Sequence, residues 1–321
     1  MIKEMVSALE RRAYKPIFDG FANREDIITC ASSINDEKLR NLLQKEVLGS
    51  PEFFYVSGFK TVTKGANIYL YPRYLYSLEE INRLKNEYEQ RADKLLKRTE
   101  GHGEYETALI LHDSLAKNVE YVDDRQKQRH TIIGPLVEKK AVCEGFAKAY
   151  KYLLNRADMQ CLVVSGSAYD PSTGRVDSHA WNLVNIEGEW CHIDVTFDTT
   201  IRYLATLRYD YFGLTSSEIT RDHTYEERDY PIANNTRFNY YERNHCVIRG
   251  KNEFRNFVEE RIRNNEMDFV IKLPDDAPDR GLEAKISKII EESMTDFGVS
   301  GEYSTSFNAF QKVFHIHIKR M

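Results

Sequence analysis

The chain has 321 residues, of which 41% are hydrophobic, 12% aromatic and 30% charged. This composition is typical of a folded globular protein and excludes a disordered one. A net charge of −5 without any basic block argues against a nucleic-acid partner, and no apolar run has the length of a membrane span.

The beginning of the chain leaves its compartment open. The first five residues lack the apolar core of a signal peptide, and acidic residues come early. We expect a cytoplasmic protein if the chain is complete, and a secreted or cell-surface protein if a signal peptide has been removed.

The N-terminal third predicts a helix-rich domain with a β-hairpin, residues 1–100. Leucines at helical spacing predict a helix over 37–47. Aromatic and β-branched runs predict strands at 53–56 and 67–71, joined through Lys64-Gly65. Ser77 is a suitable cap for a long helix to about Arg98. Glycines then interrupt the pattern, and we place a domain boundary there.

The central segment, residues 101–245, predicts helices followed by an antiparallel meander. Apolar stripes predict helices over 104–119 and 143–156. The apolar period then changes from 3.6 to 2, which predicts three strands: 161–166, 179–186 and 190–195. Glu187-Gly188 joins the last two strands.

The C-terminal segment, residues 246–321, predicts a small α+β domain. The preceding stretch, residues 199–245 of the central segment, shows few predictable helices or strands. The pattern then becomes regular and predicts strands and helices in the order 246–249 (strand), 253–263 (helix), 268–273 (strand), 281–292 (helix) and 310–318 (strand).

Five widely spaced cysteines without a Cys-x-x-Cys pair argue against a disulfide framework or a zinc knuckle. One of them, Cys143, lies at a predicted helix start, where unpaired N–H groups and the helix dipole stabilise a thiolate. The N–H groups of Cys143 and Glu144 would also stabilise an oxyanion. The other four cysteines are interpreted as small buried hydrophobic residues: Cys30, Cys161, Cys191 and Cys246.

A nucleophilic thiolate needs an imidazole to transfer protons and an acceptor to orient that imidazole. His179 precedes Glu187 by eight residues and Asp194 follows it by seven. Antiparallel pairing about this turn would therefore bring His179 and Asp194 opposite each other or nearly so. Together with the helix start at Cys143, this favours a catalytic triad over isolated structural residues.

Three motifs in this order resemble those of the transglutaminase-like superfamily: Val142-Cys143-Glu144-Gly145-Phe146-Ala147, His179-Ala180-Trp181-Asn182 and His192-Ile193-Asp194-Val195-Thr196-Phe197-Asp198. The resemblance covers about residues 104–225, including a stretch from Tyr211 to His223 similar to bacterial members. It departs at Val195, where the family usually has proline.

This resemblance implies an α+β, papain-like core with Cys143 as nucleophile, His179 as acid/base and Asp194 as orienting residue. In the family an aromatic or amide side chain often assists the oxyanion. Tyr121 is the candidate for that function, with core packing an equal alternative. Trp181 either walls the site or packs in the core. No cofactor or metal is implied.

The reaction is left open by these motifs. A Cys143 thioester resolved by water would make a protease, amidase or deamidase acting on peptides or proteins, which we favour, and a lysine amine would make a transglutaminase. A catalytically silent binding or scaffold module is the alternative from another class. A metal site from the same residues is disfavoured by its mixed ligands. His315-x-His317 is interpreted as a solvated strand face.

Overall fold

The structure is a computed structural model of the chain. It describes residues 8–31, 39, 43, 47, 49–124, 126–170, 173–201, 206–277 and 281–321, with the backbone alone at 8–13. Two compact units are present: unit 1 is residues 1–167 with 178–188, and unit 2 is residues 168–177 with 189–321. None of the helices in the described ranges combines the length and apolar character that crossing a membrane requires.

The elements up to residue 186 are, in chain order, α1 (Ala8–Ala22), β1 (Ile28–Ala31), β2 (Val56–Lys64), β3 (Asn67–Tyr74), α2 (Leu78–Leu96), α3 (Glu104–Asn118), β4 (Glu120–Tyr121), β5 (Lys140–Ala141), α4 (Cys143–Arg156), β6 (Cys161–Asp170) and β7 (Arg175–Ile186). Short 3-10 turns and one π-helical turn, Gly134–Glu138, connect them. The ends of β6 and β7 that face their connecting turn belong to unit 2, and the remainder of both strands to unit 1.

An antiparallel sheet in the order β1-β3-β2 forms the first part of unit 1. The predicted strand at 53–56 is wrong over most of its length, because Pro51–Phe53 is a 3-10 helix. Pro51 occupies its first turn and the Ser50 side chain accepts a hydrogen bond from Glu52 N, which favours a helical turn over a strand. The helix predicted over 37–47 lies, apart from three residues, outside the described part of the chain.

The prediction for α2 is confirmed at its start. Ser77 forms a capping box with Glu80, in which each side chain bonds the other residue's backbone N–H. The helix ends at Leu96, two residues before the predicted end, and continues as a 3-10 turn, Lys97–Thr99. Such tightening is common in the last turn of a helix, where carbonyls lack partners.

Two hydrogen bonds fix α4 within unit 1. Tyr150 Oη donates to Ala108 O on α3 at 2.8 Å. Asn182 Nδ2, on β7, donates to Ala147 O at 2.9 Å. The buried face of α4 carries Phe146, Tyr150 and Leu153, each with no exposed surface. The helix that carries Cys143 therefore packs between α3 and the neighbouring strands β6 and β7, and the predicted α+β class is confirmed.

Unit 2 continues with β8 (Glu189–Ile193), α5 (Val195–Thr200), β9 (Phe212–Leu214), α6 (Ser216–Ile219), β10 (His223–Thr224), α7 (Tyr240–Arg243), α8 (Lys251–Arg263), β11 (Asp268–Lys272), α9 (Leu282–Asp296), β12 (Gly301–Asn308) and β13 (Val313–Arg320). β8 pairs antiparallel with β9. Tyr169 N, at the end of β6, donates to Asp222 O beside β10 at 2.8 Å.

The C-terminal part of unit 2 is an antiparallel sheet in the order β11-β13-β12, covered by α8 and α9. Its core includes Val258, Ile271, Ile290 and Ile316, all without exposed surface. The predicted strand at 246–249 is instead a single bridge from Val247 to Lys272. The three predicted domains, residues 1–100, 101–245 and 246–321, stay a prediction.

Candidate active site

Cys143 is the first residue of α4, as predicted. The N-cap is Val142, whose side chain cannot accept a hydrogen bond from the first turn. Phe146 N donates to Val142 O at 3.2 Å, so the N–H groups of residues 143–145 precede the hydrogen-bonded ladder of the helix. Cys143 is half-buried. A thiol in this position is accessible and lies at the positive end of the helix dipole.

The other cysteines differ from Cys143 in their surroundings. Cys30, Cys161 and Cys191 are buried, as predicted, whereas Cys246 is half-buried. Burial raises the pKa of the Cys30 and Cys246 thiols, and raises that of Cys161 to about 12. These thiols are therefore poor nucleophiles near neutral pH.

A backbone contact holds the first turn of α4. Val142 N donates to Arg129 O at 3.3 Å. A Cβ atom on Gly145 would lie 2.2 Å from the same carbonyl oxygen. Only glycine at position 145 therefore permits the segment around Arg129 to approach the helix start. This gives a specific reason for the glycine two residues after Cys143.

The carboxylate of Glu144, next to Cys143, is held by Lys148 and His130. Lys148 Nζ lies 2.7 Å from Oε1, and His130 Nδ1 lies 3.0 Å from Oε2. Burial by itself would raise the pKa of Glu144, but the hydrogen bonds and charges of His130 and Lys148 outweigh it and lower that pKa. The negative charge beside the thiol is thus compensated locally, which limits the penalty it imposes on a thiolate.

Tyr121 lies beside the strand that leads to Cys143. β4 pairs parallel with β5, which sets Tyr121 opposite Ala141, and Val122 N donates to Ala141 O at 3.0 Å. The Tyr121 side chain is 39% exposed, so its alternative interpretation as a core residue is wrong. Its assistance to an oxyanion stays a prediction.

His179 lies on β7, where it is half-buried. Its ring stacks on Trp181, with 5.9 Å between the ring centroids and 17° between the planes. Trp181 itself is 1% exposed. A buried indole therefore supports one face of an accessible imidazole and restricts its orientation, so the packing and wall interpretations of Trp181 are compatible.

Asp194 is buried and is the N-cap of α5. Its Oδ1 accepts hydrogen bonds from Thr196 N at 2.9 Å and Phe197 N at 3.1 Å. Its Oδ2 lies 3.1 Å from His223 Nε2. Such donors stabilise an ionised carboxylate and fix its plane. The predicted union of Cys143, His179 and Asp194 in one triad stays a prediction.

Sequence reasoning missed the environment of Asp194. His223 contacts Asp222 as well, with 2.6 Å from Nδ1 to Oδ1, and Asp222 accepts a hydrogen bond from Tyr211 Oη. Asp222 and His223 are adjacent in the sequence, but nothing in local periodicity connects them with Asp194. The signal that the sequence offers for this stretch, Tyr211 to His223, is its resemblance to bacterial members of the family.

The interpretation of His315-x-His317 as a solvated strand face is wrong for His315. Its side chain is fully buried and its Nε2 contacts Asp268 Oδ1, while His317 Nδ1 is 3.8 Å from Asp268 Oδ2. Asp268 pairs with His317 across β11 and β13. One carboxylate thus lies near both imidazoles, and Thr206 Oγ1 donates to it at 2.9 Å.

Comparison with known families matches residues 90–195 to the transglutaminase-like superfamily. The matched segment includes Cys143, His179 and Asp194 and ends one residue after the aspartate. It therefore covers the helices α3 and α4 and the strands that follow them.

Curated relatives include kyphoscoliosis peptidase of Mus musculus, which is 27% identical over 151 residues. The Homo sapiens protein of the same name is 26% identical over 151 residues. Each alignment covers 41% of this chain and 22% of the relative, so the chain spans about a fifth of the length of these proteins.

Among solved structures, one similar chain is a candidate cysteine protease from Cytophaga hutchinsonii, with 17% identity and a TM-score of 0.29. The match covers 43% of this chain and 61% of that one. Another is described as a TGase, with 14% identity, a TM-score of 0.33, and coverage of 70% and 59%.

Proposed function

Residues 90–195 are a transglutaminase-like domain with an α+β, papain-like core, and we propose that the chain is a cysteine enzyme acting on amide bonds of peptides or proteins. The observation that carries the proposal is the position of Cys143. It is an accessible thiol at the start of a helix, beside a compensated carboxylate, while burial raises the pKa of three other thiols.

His179 is the proposed acid/base, and turn geometry supports its partnership with Asp194. Glu187 and Gly188 both have left-handed backbone, with φ of 51° and 86°. This pair of angles is typical of a two-residue type I′ hairpin turn. In a hairpin closed by this two-residue turn, Asp194 would lie opposite Trp181. His179, two residues before Trp181 on β7, would lie on the same face of that strand as Trp181. Asp194 would then orient the imidazole.

The proposed reaction begins with transfer of the Cys143 proton to His179. The thiolate attacks the amide carbon, and the N–H of Cys143 with the Tyr121 hydroxyl stabilises the oxyanion. The His179 imidazolium gives its proton to the leaving amine as the C–N bond breaks, which leaves a thioester. Water, deprotonated by His179, then releases a carboxylate and restores the thiol.

Hydrolysis is the favoured fate of the thioester, in agreement with the name peptidase of the two curated relatives. Both relatives are about five times as long as the aligned segment. Their names therefore do not identify the substrate of this chain, and an experiment is needed to identify it. Peptide and protein substrates are incubated with the wild type and with Cys143→Ala, and products are analysed by mass spectrometry. Cleaved backbones that require Cys143 would support hydrolysis of peptide bonds.

Other products define the other outcomes of this experiment. A gain of about one dalton at glutamine indicates deamidation, and crosslinked chains indicate a transglutaminase, since all are fates of one thioester. Absence of any Cys143-dependent product over a broad substrate set would instead favour a binding module.

Thiol alkylation tests the nucleophile without a substrate. Cys143 is expected to react with iodoacetamide well below about pH 8, and His179→Ala should abolish the reaction at these lower pH values. Cys246 is the matched control, because it is also half-buried but burial raises its pKa. If Cys143 reacts no faster than Cys246, Cys143 is not an activated nucleophile.

A further inference from the structure

His223 is enclosed between two carboxylates in unit 2. Its side chain has no exposed surface, and those of Asp194 and Asp222 are 1% exposed. Nε2 lies 3.1 Å from Asp194 Oδ2 and Nδ1 lies 2.6 Å from Asp222 Oδ1. Both ring nitrogens therefore face a carboxylate oxygen. A neutral imidazole has only one N–H and would direct its lone pair at one of these oxygens.

The other contacts of the two carboxylates bring further donors to both of them. Asp194 Oδ1 receives the N–H groups of Thr196 and Phe197. Asp222 Oδ2 receives the Tyr211 hydroxyl. A carboxyl group surrounded by donors is stabilised in its ionised form. Two ionised carboxylates with the ring between them would each accept a hydrogen bond from a ring nitrogen, and His223 would then be an imidazolium.

We propose that His223 is a positioning residue of the reaction: a buried imidazolium that holds the Asp194 carboxylate ionised and fixed in its plane. The inference rests on the proposed function, in which Asp194 orients His179. In this role His223 acts through Asp194. Without this cation, Asp194 and Asp222 would be two neighbouring buried carboxylates without a positive charge between them, an arrangement that their repulsion disfavours.

The remaining groups around His223 agree with a cation there. Burial alone would lower the pKa of His223, but hydrogen bonds and charges from Asp194 and Asp222 outweigh it and raise that pKa. The Phe197 and Tyr211 rings lie 4.7 and 5.6 Å from the imidazole, centroid to centroid. Tyr211 is kept neutral, since burial and the charge of Asp222 raise its pKa well above the ordinary value.

His192 is a second buried histidine in the same unit and provides a matched control. Its Nε2 lies 3.2 Å from Tyr225 Oη and 3.4 Å from Ser216 Oγ. Burial, with a smaller contribution from the charge of His223, lowers the pKa of His192 to about 3. His192 is therefore neutral where His223 is charged.

Nitrogen-15 NMR of the ring nitrogens in the full chain tests the charge directly. At neutral pH His223 is expected to show two protonated nitrogens and His192 one. A neutral His223 ring would overturn the inference, whether or not the protein proves to be an enzyme. This measurement uses the wild type, so it does not depend on the folding of any variant.

The pH dependence of Cys143 alkylation tests the positioning role. His223→Gln should slow alkylation near neutral pH by about tenfold and move the acid limb of the profile to higher pH, because loss of the cation removes the charge that stabilises the Asp194 carboxylate. His192→Gln should leave the profile in place. An unchanged profile in His223→Gln would overturn the inference, whereas slow alkylation already in the wild type would instead contradict the proposed function.

Discussion

The carbonyl oxygen of Arg129 lies 2.2 Å from the position that a Cβ on Gly145 would occupy. This oxygen also accepts the hydrogen bond of Val142 N. The backbone of the segment around Arg129 thus determines where α4 begins, one residue after Val142, and with it the position of the Cys143 sulfur. The atom that a Cβ would meet is a main-chain carbonyl oxygen, so the clash could not be relieved by moving a flexible side chain.

Gly145→Ala is expected to destabilise the protein by about 2 kcal/mol, through overpacking against a main chain that cannot yield. It should also slow Cys143 alkylation, because relief of the clash displaces the helix start. Urea unfolding measures the first effect and iodoacetamide kinetics the second. Gly250→Ala is the control, since its Cβ would have no neighbour within 4 Å. An equal effect of the two substitutions would contradict the importance of the Arg129 contact.

The helices around the site were predictable because their signals are local. Ser77 and Glu80 form a capping box that is evident from their spacing. The apolar stripe of α4 predicted its bounds at 143 and 156, which the structure confirms. In such segments the apolar periodicity and the capping residues indicate the same helix bounds, and tertiary packing stabilises the helix that they predict.

Elements that depend on distant partners were missed. β12, Gly301–Asn308, has half-buried residues on both faces and lacks the alternation of an amphipathic strand, so only its pairing with β13 reveals it. His223 and Asp194 are 29 residues apart and meet through tertiary structure. The buried network around Asp194 therefore had no local pattern from which it could be predicted.

Glu144→Gln should destabilise the protein by about 2 kcal/mol, because it leaves the Lys148 ammonium without its carboxylate. The Lys148 side chain is 7% exposed and that of Glu144 is 39% exposed, so the cost falls below that of a fully buried pair. Glu89→Gln, which removes an exposed partner of Lys85 at the same helical spacing, should cost less than about 0.5 kcal/mol. Similar unfolding midpoints for both variants would show that Lys148 does not need Glu144.

His192 should make the protein sensitive to acid. Its pKa in the folded state is about 3, below the value of about 6.5 in an unfolded chain. The unfolded state therefore binds more protons as pH falls below about 6.5, and stability is lost from there down to the folded pKa. By about pH 5 the loss attributable to His192 is about 2 kcal/mol.

His192→Gln should remove that part of the loss, which is measured as the change in unfolding free energy between about pH 7 and about pH 5. The comparison with the wild type separates His192 from the carboxylates, which titrate in both proteins. A variant with the same acid sensitivity as the wild type would show that His192 is protonated in the folded state or is not buried.

Arg208 and Asp210 form a buried ion pair that connects the segment before β9 with the C-terminal sheet of unit 2. Arg208 is 2% exposed and Asp210 is 1% exposed, and Arg208 Nη2 lies 2.6 Å from Asp210 Oδ2. Arg208 also donates to Ser306 Oγ on β12 and Val313 O on β13. Asp210 accepts from Tyr241 Oη at 2.7 Å.

Asp210→Asn is expected to destabilise the protein by about 3 kcal/mol, because it keeps the volume of the side chain but leaves the Arg208 guanidinium buried without its counterion. Replacing both residues, with Arg208→Met and Asp210→Leu, should cost less than Asp210→Asn alone, since neither charge of this pair then remains buried. Glu226→Gln, beside the exposed Arg228, should change the unfolding free energy by less than about 0.5 kcal/mol. If Asp210→Asn changed the unfolding free energy as little as Glu226→Gln, the prediction would be contradicted. The Arg208 guanidinium would then reach water in the variant, in spite of its burial in the wild type.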